Sequence, residues 1–213
     1  MQAFVTHSGI AAPLLRANID TDAIIPSREM KRVSKHGLSD GLFAGWRYRY
    51  DGSERPGPDP DFILNQPPYD RATILIGGNN FGCGSSREHA VWALAEFGFR
   101  AIIAPGFGAI FQGNCIRNGI LPVVLDEAAV ARLGKLVGAD PERHTIAIDL
   151  VAQRIDCADV HADFDISASQ RELLLGGIDF IDATLQFADE ISAFEHNDRR
   201  ARAWAWLPDP RRD

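Results

Sequence analysis

Short apolar runs alternate with longer segments of helical periodicity, most regularly between residues 72 and 138. The runs at 72–76, 100–104 and 121–125 have the length and composition of buried strands. A segment from about 87 to 97 is apolar on nearly all sides, which predicts a buried helix ending at Gly98. Strands that alternate with helices predict an α/β layer with parallel neighbouring strands.

The pattern continues on both sides of this segment. Helices are expected at 107–118, 126–138 and 167–175, the last ending at Gly176-Gly177, and 178–193 is expected to be partly helical. Alternation at 144–150 and 153–157 predicts a hairpin. Apolar pieces at 4–5 and 10–15, around a turn at Ser8-Gly9, predict the first strands.

Three segments lack a regular pattern. Residues 27–50 carry several basic side chains, Arg28 and Arg47 among them, which suit either a solvated helix face or a mobile loop that closes over an acidic substrate. Residues 51–68 hold five of the twelve prolines and predict an irregular connection, functional or disordered. A tail at 196–213 mixes arginine with tryptophan, and we expect it to dock on protein rather than bind nucleic acid.

Composition limits the classes of function. The 213 residues suit one sizeable domain with a small extension, and the net charge of −7 argues against a general nucleic-acid binder. No apolar stretch is long enough for a membrane helix, and the N-terminus does not resemble a signal peptide, so we expect a cytoplasmic protein. Cys83, Cys115 and Cys157 are widely spaced, and they do not predict a zinc site or an iron–sulfur cluster held by this chain. We expect Cys115 and Cys157 to be buried thiols.

The candidate chemistry lies in the loop Gly82-Cys83-Gly84-Ser85-Ser86-Arg87-Glu88-His89. It follows a predicted strand and precedes a predicted helix, whose first N–H groups lack internal partners and carry positive potential. Glycine lets a ligand approach the main chain, and arginine fits a carboxylate or phosphate with two donors. The loop therefore predicts a cradle for an anionic small molecule.

The loop does not match three familiar glycine-loop motifs. It lacks the third glycine of a dinucleotide fingerprint, the Gly-Lys-Ser/Thr of a P-loop and the second glycine of a nucleophile elbow. Ser85 with Glu88 also matches a capping box, and spacing alone leaves helix capping and chemistry about equal. Upstream, Asp20-Thr21-Asp22 favours a structured turn over a metal site, because the next alternate position is Ile24 rather than a ligand.

The run from Asn79 to Ala90 resembles the signature of the aconitase superfamily swivelling domain. Agreement extends to 18–22 with 24–26, to 104–114 and to 119–122, and it covers about residues 3–195. Among free-standing members, the chain is similar to the small subunits of isopropylmalate dehydratases. The resemblance implies an α/β fold of the swivelling β/β/α type, with a mixed sheet flanked by helices, over 1–195, followed by a tail at 196–213.

The resemblance also implies a reaction. The chain would be one half of a two-subunit hydro-lyase of leucine biosynthesis, which interconverts 2- and 3-isopropylmalate through isopropylmaleate. It would bind no cofactor itself, because a large subunit would carry a [4Fe–4S] cluster whose iron polarises the leaving hydroxyl. Related hydro-lyases acting on citraconate, dimethylmalate or homoaconitate remain alternatives, as does a non-catalytic anion-binding module.

The resemblance also implies roles for individual residues at matching positions. Ser85 would be the base that removes the carbon-bound proton, and Arg87 would clamp a substrate carboxylate. Ser86 and Gly84 would contact substrate, the turn at Asp20, Thr21 and Asp22 would lie beside it with a positioning role, and Glu88 and His89 would give support. A serine hydroxyl is a poor base, so the role requires that loop amides, the helix N-terminus and Arg87 stabilise its alkoxide.

Overall fold

A computed structural model describes residues 1–30, 36–49, 57–85 and 87–207, which form two compact units, Met1–Gly177 and Ile178–Asp213. Ten strands are present in the described residues: β1 (Thr6–Gly9), β2 (Ala11–Leu14), β3 (Tyr48–Arg49), β4 (Gly57–Pro58), β5 (Ile74–Gly77), β6 (Ala101–Ala104), β7 (Leu121–Val124), β8 (Ile146–Asp149), β9 (Arg154–Cys157) and β10 (Val160–Asp163). Eight α-helices accompany them there: α1 (Thr21–Ile24), α2 (Ala44–Arg47), α3 (Glu88–Phe97), α4 (Ala109–Arg117), α5 (Glu127–Ala139), α6 (Ala168–Gly176), α7 (Phe180–Leu185) and α8 (Ala188–Ala201).

The predicted parallel layer is confirmed. Strands β2, β5, β6 and β7 form a four-stranded sheet in that order, and every pair in it is parallel. Pro13 and Pro122 lie in β2 and β7, the two edge strands, where a missing N–H costs least. Helix α5 packs against β2, β5 and β6, while residues of α3 share one hydrophobic cluster with Leu75 and Ile102. The site loop therefore starts from a strand inside a covered, rigid sheet.

A second, antiparallel sheet has the order β1-β8-β9-β10. The hairpin of β8 and β9 is confirmed, and Ile146 and Ile148 are buried while Ala147 between them is exposed, as expected for a sheet with one solvated face. The turn predicted at Ser8-Gly9 is wrong, because both residues belong to β1 and pair with β8. That pairing joins positions about 140 residues apart, so no local pattern could reveal it.

Helix ends follow local chemistry. Gly98 and Gly177 end α3 and α6 in the left-handed conformation, as predicted. The side chain of Asp126 accepts a hydrogen bond from Ala129 N at 2.7 Å and caps α5.

The described parts of 27–68 are more ordered than predicted. Leu38, Leu42, Phe43 and Leu64 are fully buried and belong to the core cluster around α3. Arg47 ties the segment together, since its Nε donates to Asn65 Oδ1 at 3.0 Å and its Nη1 donates to Ser39 O at 2.9 Å. These side chains supply core and framework, whereas the side chains of Arg28 and Arg49 are 51% and 55% exposed, as expected for a solvated face. The predictions for 31–35 and 50–56 lie outside the described residues.

The second unit consists of α7, α8 and a short 3-10 turn, and none of these elements contains a buried residue. Its arginine and tryptophan side chains meet each other: Arg199 lies over the Trp206 ring at 4.4 Å, and Trp206 Nε1 donates to Asp198 at 2.9 Å. Helix α8 runs through position 195, and the domain boundary expected there stays a prediction. In the described residues, no helix is long and apolar enough to cross a membrane.

Candidate functional site

The glycine loop lies beyond the carboxyl end of β5 and enters α3. The aspartate turn is held against it by two main-chain hydrogen bonds: Gly82 N donates to Ile19 O at 2.7 Å, and Thr21 N donates to Cys83 O at 3.0 Å. Isolated parallel bridges also join Asp20 to Cys83 and Phe81 to Phe107. The aspartate turn and the glycine loop, about 60 residues apart in sequence, are therefore one structural unit.

Gly82 and Gly84 both have positive φ angles, +71° and +85°. At Gly82 a Cβ atom would lie 2.1 Å from Cγ of Phe111, a buried ring, so only glycine fits. At Gly84 a Cβ atom would make only ordinary van der Waals contact, since the nearest atom, Asp20 Cβ, is 3.4 Å away. The first glycine lets the loop pack on the core, and the second lets the loop turn at the surface.

Ser85 is exposed, and its backbone carbonyl accepts two hydrogen bonds, from Thr21 Oγ1 at 2.9 Å and from Arg87 N at 2.8 Å. The capping-box interpretation of Ser85 is wrong, because α3 begins at Glu88 and its N-cap residue is Arg87, which forms no side-chain capping hydrogen bond. No residue in the described parts of the chain forms a hydrogen bond with the Ser85 hydroxyl. The serine thus has a braced backbone and a hydroxyl available at the surface.

Arg87 forms an ion pair between Nη1 and Asp22 Oδ1, and the same carboxylate oxygen accepts a hydrogen bond from Ser27 Oγ at 3.2 Å. The Arg87 side chain is 24% exposed and that of Asp22 is 51% exposed. The guanidinium is therefore oriented by the aspartate turn and remains partly exposed to solvent.

The other two residues of the turn have framework contacts. Asp20 Oδ1 accepts from Ala23 N at 2.7 Å and caps α1. Thr21 is only 2% exposed, and its hydroxyl is occupied by the Ser85 carbonyl. Both contacts suit residues that hold the loop in place. Ser86, predicted to contact substrate, lies outside the described residues.

Several framework residues were not found from the sequence. Asn118, at the end of α4, donates from Nδ2 to Glu88 Oε1 at 2.8 Å. At the other end of α3, the Glu96 carboxylate accepts hydrogen bonds from the backbone N–H groups of Gly37, Leu38 and Ser39 at 2.5–2.8 Å. Partial burial opposes ionisation of Glu96, but these three donors outweigh it and hold its pKa below the ordinary value. Both contacts join residues distant in sequence, so spacing offered no signal for them.

The cysteines do not form a metal site. Cys83 is partly exposed in the loop, while Cys115 and Cys157 are buried free thiols, as predicted. Burial raises the pKa of the Cys115 thiol well above its usual range, which makes it unreactive. In the parts of the chain that the structure describes, no three His, Cys, Asp or Glu side chains are grouped to hold a metal ion. These donors do not fit an iron–sulfur cluster held by this chain alone.

Comparisons with known proteins agree with this architecture. Residues 1–128 match the aconitase C-terminal domain family. The 3-isopropylmalate dehydratase small subunit of Cupriavidus necator is 58% identical over 205 residues, which cover 96% of this chain and 98% of that protein. The protein of the same name from Acidothermus cellulolyticus is 47% identical over 211 residues, covering 99% of both chains. A crystal structure of 3-isopropylmalate dehydratase from Methanocaldococcus jannaschii superposes with a TM-score of 0.63 at 25% identity, covering 89% of this chain and 99% of that one.

Proposed function

The chain belongs to the family of 3-isopropylmalate dehydratase small subunits, with the aconitase C-terminal domain fold, and from this premise we propose how it works in a hydro-lyase. The enzyme acts with a large subunit in leucine biosynthesis, in the cytoplasm. Water leaves 2-isopropylmalate to form isopropylmaleate, and water returns with the opposite regiochemistry to form 3-isopropylmalate. We place the [4Fe–4S] cluster on the large subunit, so the steps assigned to this chain are proton transfer and carboxylate binding.

One observation carries the proposal: Ser85 offers an accessible hydroxyl on a backbone braced from two sides, two residues before Arg87, whose guanidinium is held by Asp22. In the dehydration direction the Ser85 oxygen takes the proton from the carbon adjacent to the hydroxyl-bearing carbon. It returns a proton to the other carbon during hydration. A base must be held within hydrogen-bond reach of the proton that it removes, and the carbonyl contacts of Ser85 provide that rigidity.

Arg87 has two roles in this proposal. Its fork-shaped donor binds one substrate carboxylate, and its positive charge favours the anionic form of Ser85. N–H groups at the start of α3 add to the same potential, because its N-cap residue, Arg87, forms no side-chain capping hydrogen bond. Asp22 keeps the guanidinium oriented until substrate arrives. Gly84 leaves room for the substrate to approach the main chain, and Ser86 adds a hydrogen bond.

The test is reconstitution with the large subunit under anaerobic conditions, with hydration of isopropylmaleate as the assay. Ser85→Ala is expected to lower kcat by at least about 10²–10³, the loss typical when one group that acts in the transition state is removed. KM should change little. Ser169→Ala is the matched control, since Ser169 is an exposed serine on α6.

Three outcomes would contradict the proposal. Ser85→Ala with normal kcat and raised KM would make Ser85 a binding group rather than the base. A reconstituted enzyme that prefers citraconate, dimethylmaleate or homoaconitate over isopropylmaleate would retain the chemistry and change the substrate. A complex that lacks hydro-lyase activity, and whose properties only the glycine substitutions change, would favour the non-catalytic anion-binding module.

A further inference from the structure

Tertiary contacts hold the first turn of α3, whose N-cap residue, Arg87, forms no side-chain capping hydrogen bond. Asn118 supplies one of them, since its Nδ2 donates to Glu88 Oε1 at 2.8 Å. Glu88 is the first residue of the helix and directly follows Arg87. The end of α4, where Asn118 is the C-cap residue, is thereby tied to the start of the helix that follows the site loop.

The Asn118 amide has a defined orientation. Its Oδ1 accepts from Trp92 Nε1 at 3.0 Å, and an indole N–H can only donate, so the oxygen must face Trp92 and the nitrogen must face Glu88. The nitrogen also donates to Asn114 O at 2.9 Å. Glu88 and Trp92 are four residues apart and lie on one face of α3, so the Asn118 side chain contacts two successive turns of that helix. Trp92 in turn lies 4.7 Å from the His89 ring.

We propose that Asn118 is a positioning residue for the hydro-lyase reaction: by holding the Glu88 carboxylate against α4, it sets the place of the Arg87 backbone and of the loop before it. The inference rests on the proposed function for its catalytic consequence. Its structural part, a restrained first turn of α3, can be measured without activity.

Charge gives the contact a second consequence. Arg87 pairs with Asp22, whereas the neighbouring Glu88 carboxylate is occupied by Asn118. If Asn118 released it, a carboxylate would be free one residue from the guanidinium that binds the dianionic substrate. The released carboxylate can turn toward Arg87 and compete with the substrate for its guanidinium. Loss of the contact should therefore raise KM as well as lower kcat.

Asn118→Asp keeps the contact of the amide oxygen and removes the contact of the amide nitrogen with Glu88. The remaining oxygen can still accept from Trp92, but the nitrogen is replaced by an oxygen that faces the Glu88 carboxylate and repels it. Glu88→Gln alone keeps an oxygen that accepts from Asn118 and is the matched control. In the double variant, Asn118→Asp with Glu88→Gln, the new amide at position 88 can donate to the new carboxylate at position 118. The hydrogen bond is restored with donor and acceptor exchanged. Glu88→Ala removes the contact from the α3 side, should Asn118→Asp fail to fold.

The first measurement is amide hydrogen exchange across 87–92 in the isolated full chain. Asn118→Asp and Glu88→Ala should both speed exchange there, Glu88→Gln should change it less, and the double variant should return it toward the original rate. In the reconstituted enzyme, Asn118→Asp should lower kcat about 10- to 100-fold, as expected for a misplaced catalytic group, and the double variant should recover most of that loss.

Unchanged exchange and kcat in Asn118→Asp would overturn the inference. A loss that the second substitution fails to recover would do so too, because it would trace to the Asn114 contact or to general damage. If the unmodified complex lacks hydro-lyase activity, the proposed function fails, while the exchange data still decide whether Asn118 restrains α3.

Discussion

Replacing Gly82 by alanine separates two reasons why the loop needs glycine. Both Gly82 and Gly84 have left-handed backbones, and so does Gly98 at the end of α3, with φ of +119°. An L-residue in that conformation costs about 1–2 kcal/mol, and all three substitutions carry this penalty. At Gly82 the added methyl group would also lie 2.1–2.6 Å from three atoms of the Phe111 ring.

Moving the Phe111 ring aside would be energetically costly. Phe111 is 3% exposed and packs on Phe81 at 5.5 Å and on Phe107 at 6.4 Å between ring centroids. Inserting a methyl group into a packed core costs about 1–3 kcal/mol. Together with the backbone penalty, Gly82→Ala should lower the free energy of unfolding by about 2–5 kcal/mol. For a chain of this size, that corresponds to a melting temperature lower by roughly 4–20 °C.

The assay is thermal unfolding of the three alanine variants side by side. Gly98→Ala has nothing within 4 Å of its added atom and reports backbone strain alone. Gly84→Ala meets its nearest atom at 3.4 Å and should resemble Gly98→Ala in stability. If Gly82→Ala melts at the same temperature as these two, the close approach to Phe111 does not constrain the loop and the packing argument fails.

Three further substitutions test how the site is held. Thr21→Val should lower kcat about tenfold, because it removes the hydrogen bond to the Ser85 carbonyl, while Thr21→Ser should keep most activity; equal losses in steady-state kinetics would contradict a positioning role. Asp22→Asn should reduce kcat/KM and leave the melting temperature nearly unchanged, since an exposed ion pair contributes less than about 1 kcal/mol; a large thermal shift with normal kinetics would make the pair structural. Glu96 has a lowered pKa, so its ionised form stabilises the fold above the ordinary value of 4.5 and that contribution is lost as the pH falls. Urea unfolding from pH 3 to 7 should therefore show a weaker acid dependence in Glu96→Gln, and parallel curves would exclude this role.

The local sequence pattern was sufficient to predict the parallel layer. Strand β5, the glycine loop and α3 occur where apolar runs, glycines and helical periodicity placed them, and Gly98 and Gly177 end helices as expected. These features depend on backbone freedom and on which residues are apolar, and both are properties of neighbouring residues. The family signature between residues 79 and 90 is local for the same reason.

Tertiary structure decided the contacts between distant segments. The capping pattern at Ser85 is a valid local option, yet the Ser85 carbonyl is bound by Thr21, and Glu88 bonds to Asn118 instead of the loop. A short polar side chain can form hydrogen bonds of similar energy with several partners. Which partner it binds depends on which distant segment the fold brings near. The sequence thus determines that a glycine loop joins a buried strand to a helix, whereas the packing of the aspartate turn and α4 around it determines which of its groups are exposed.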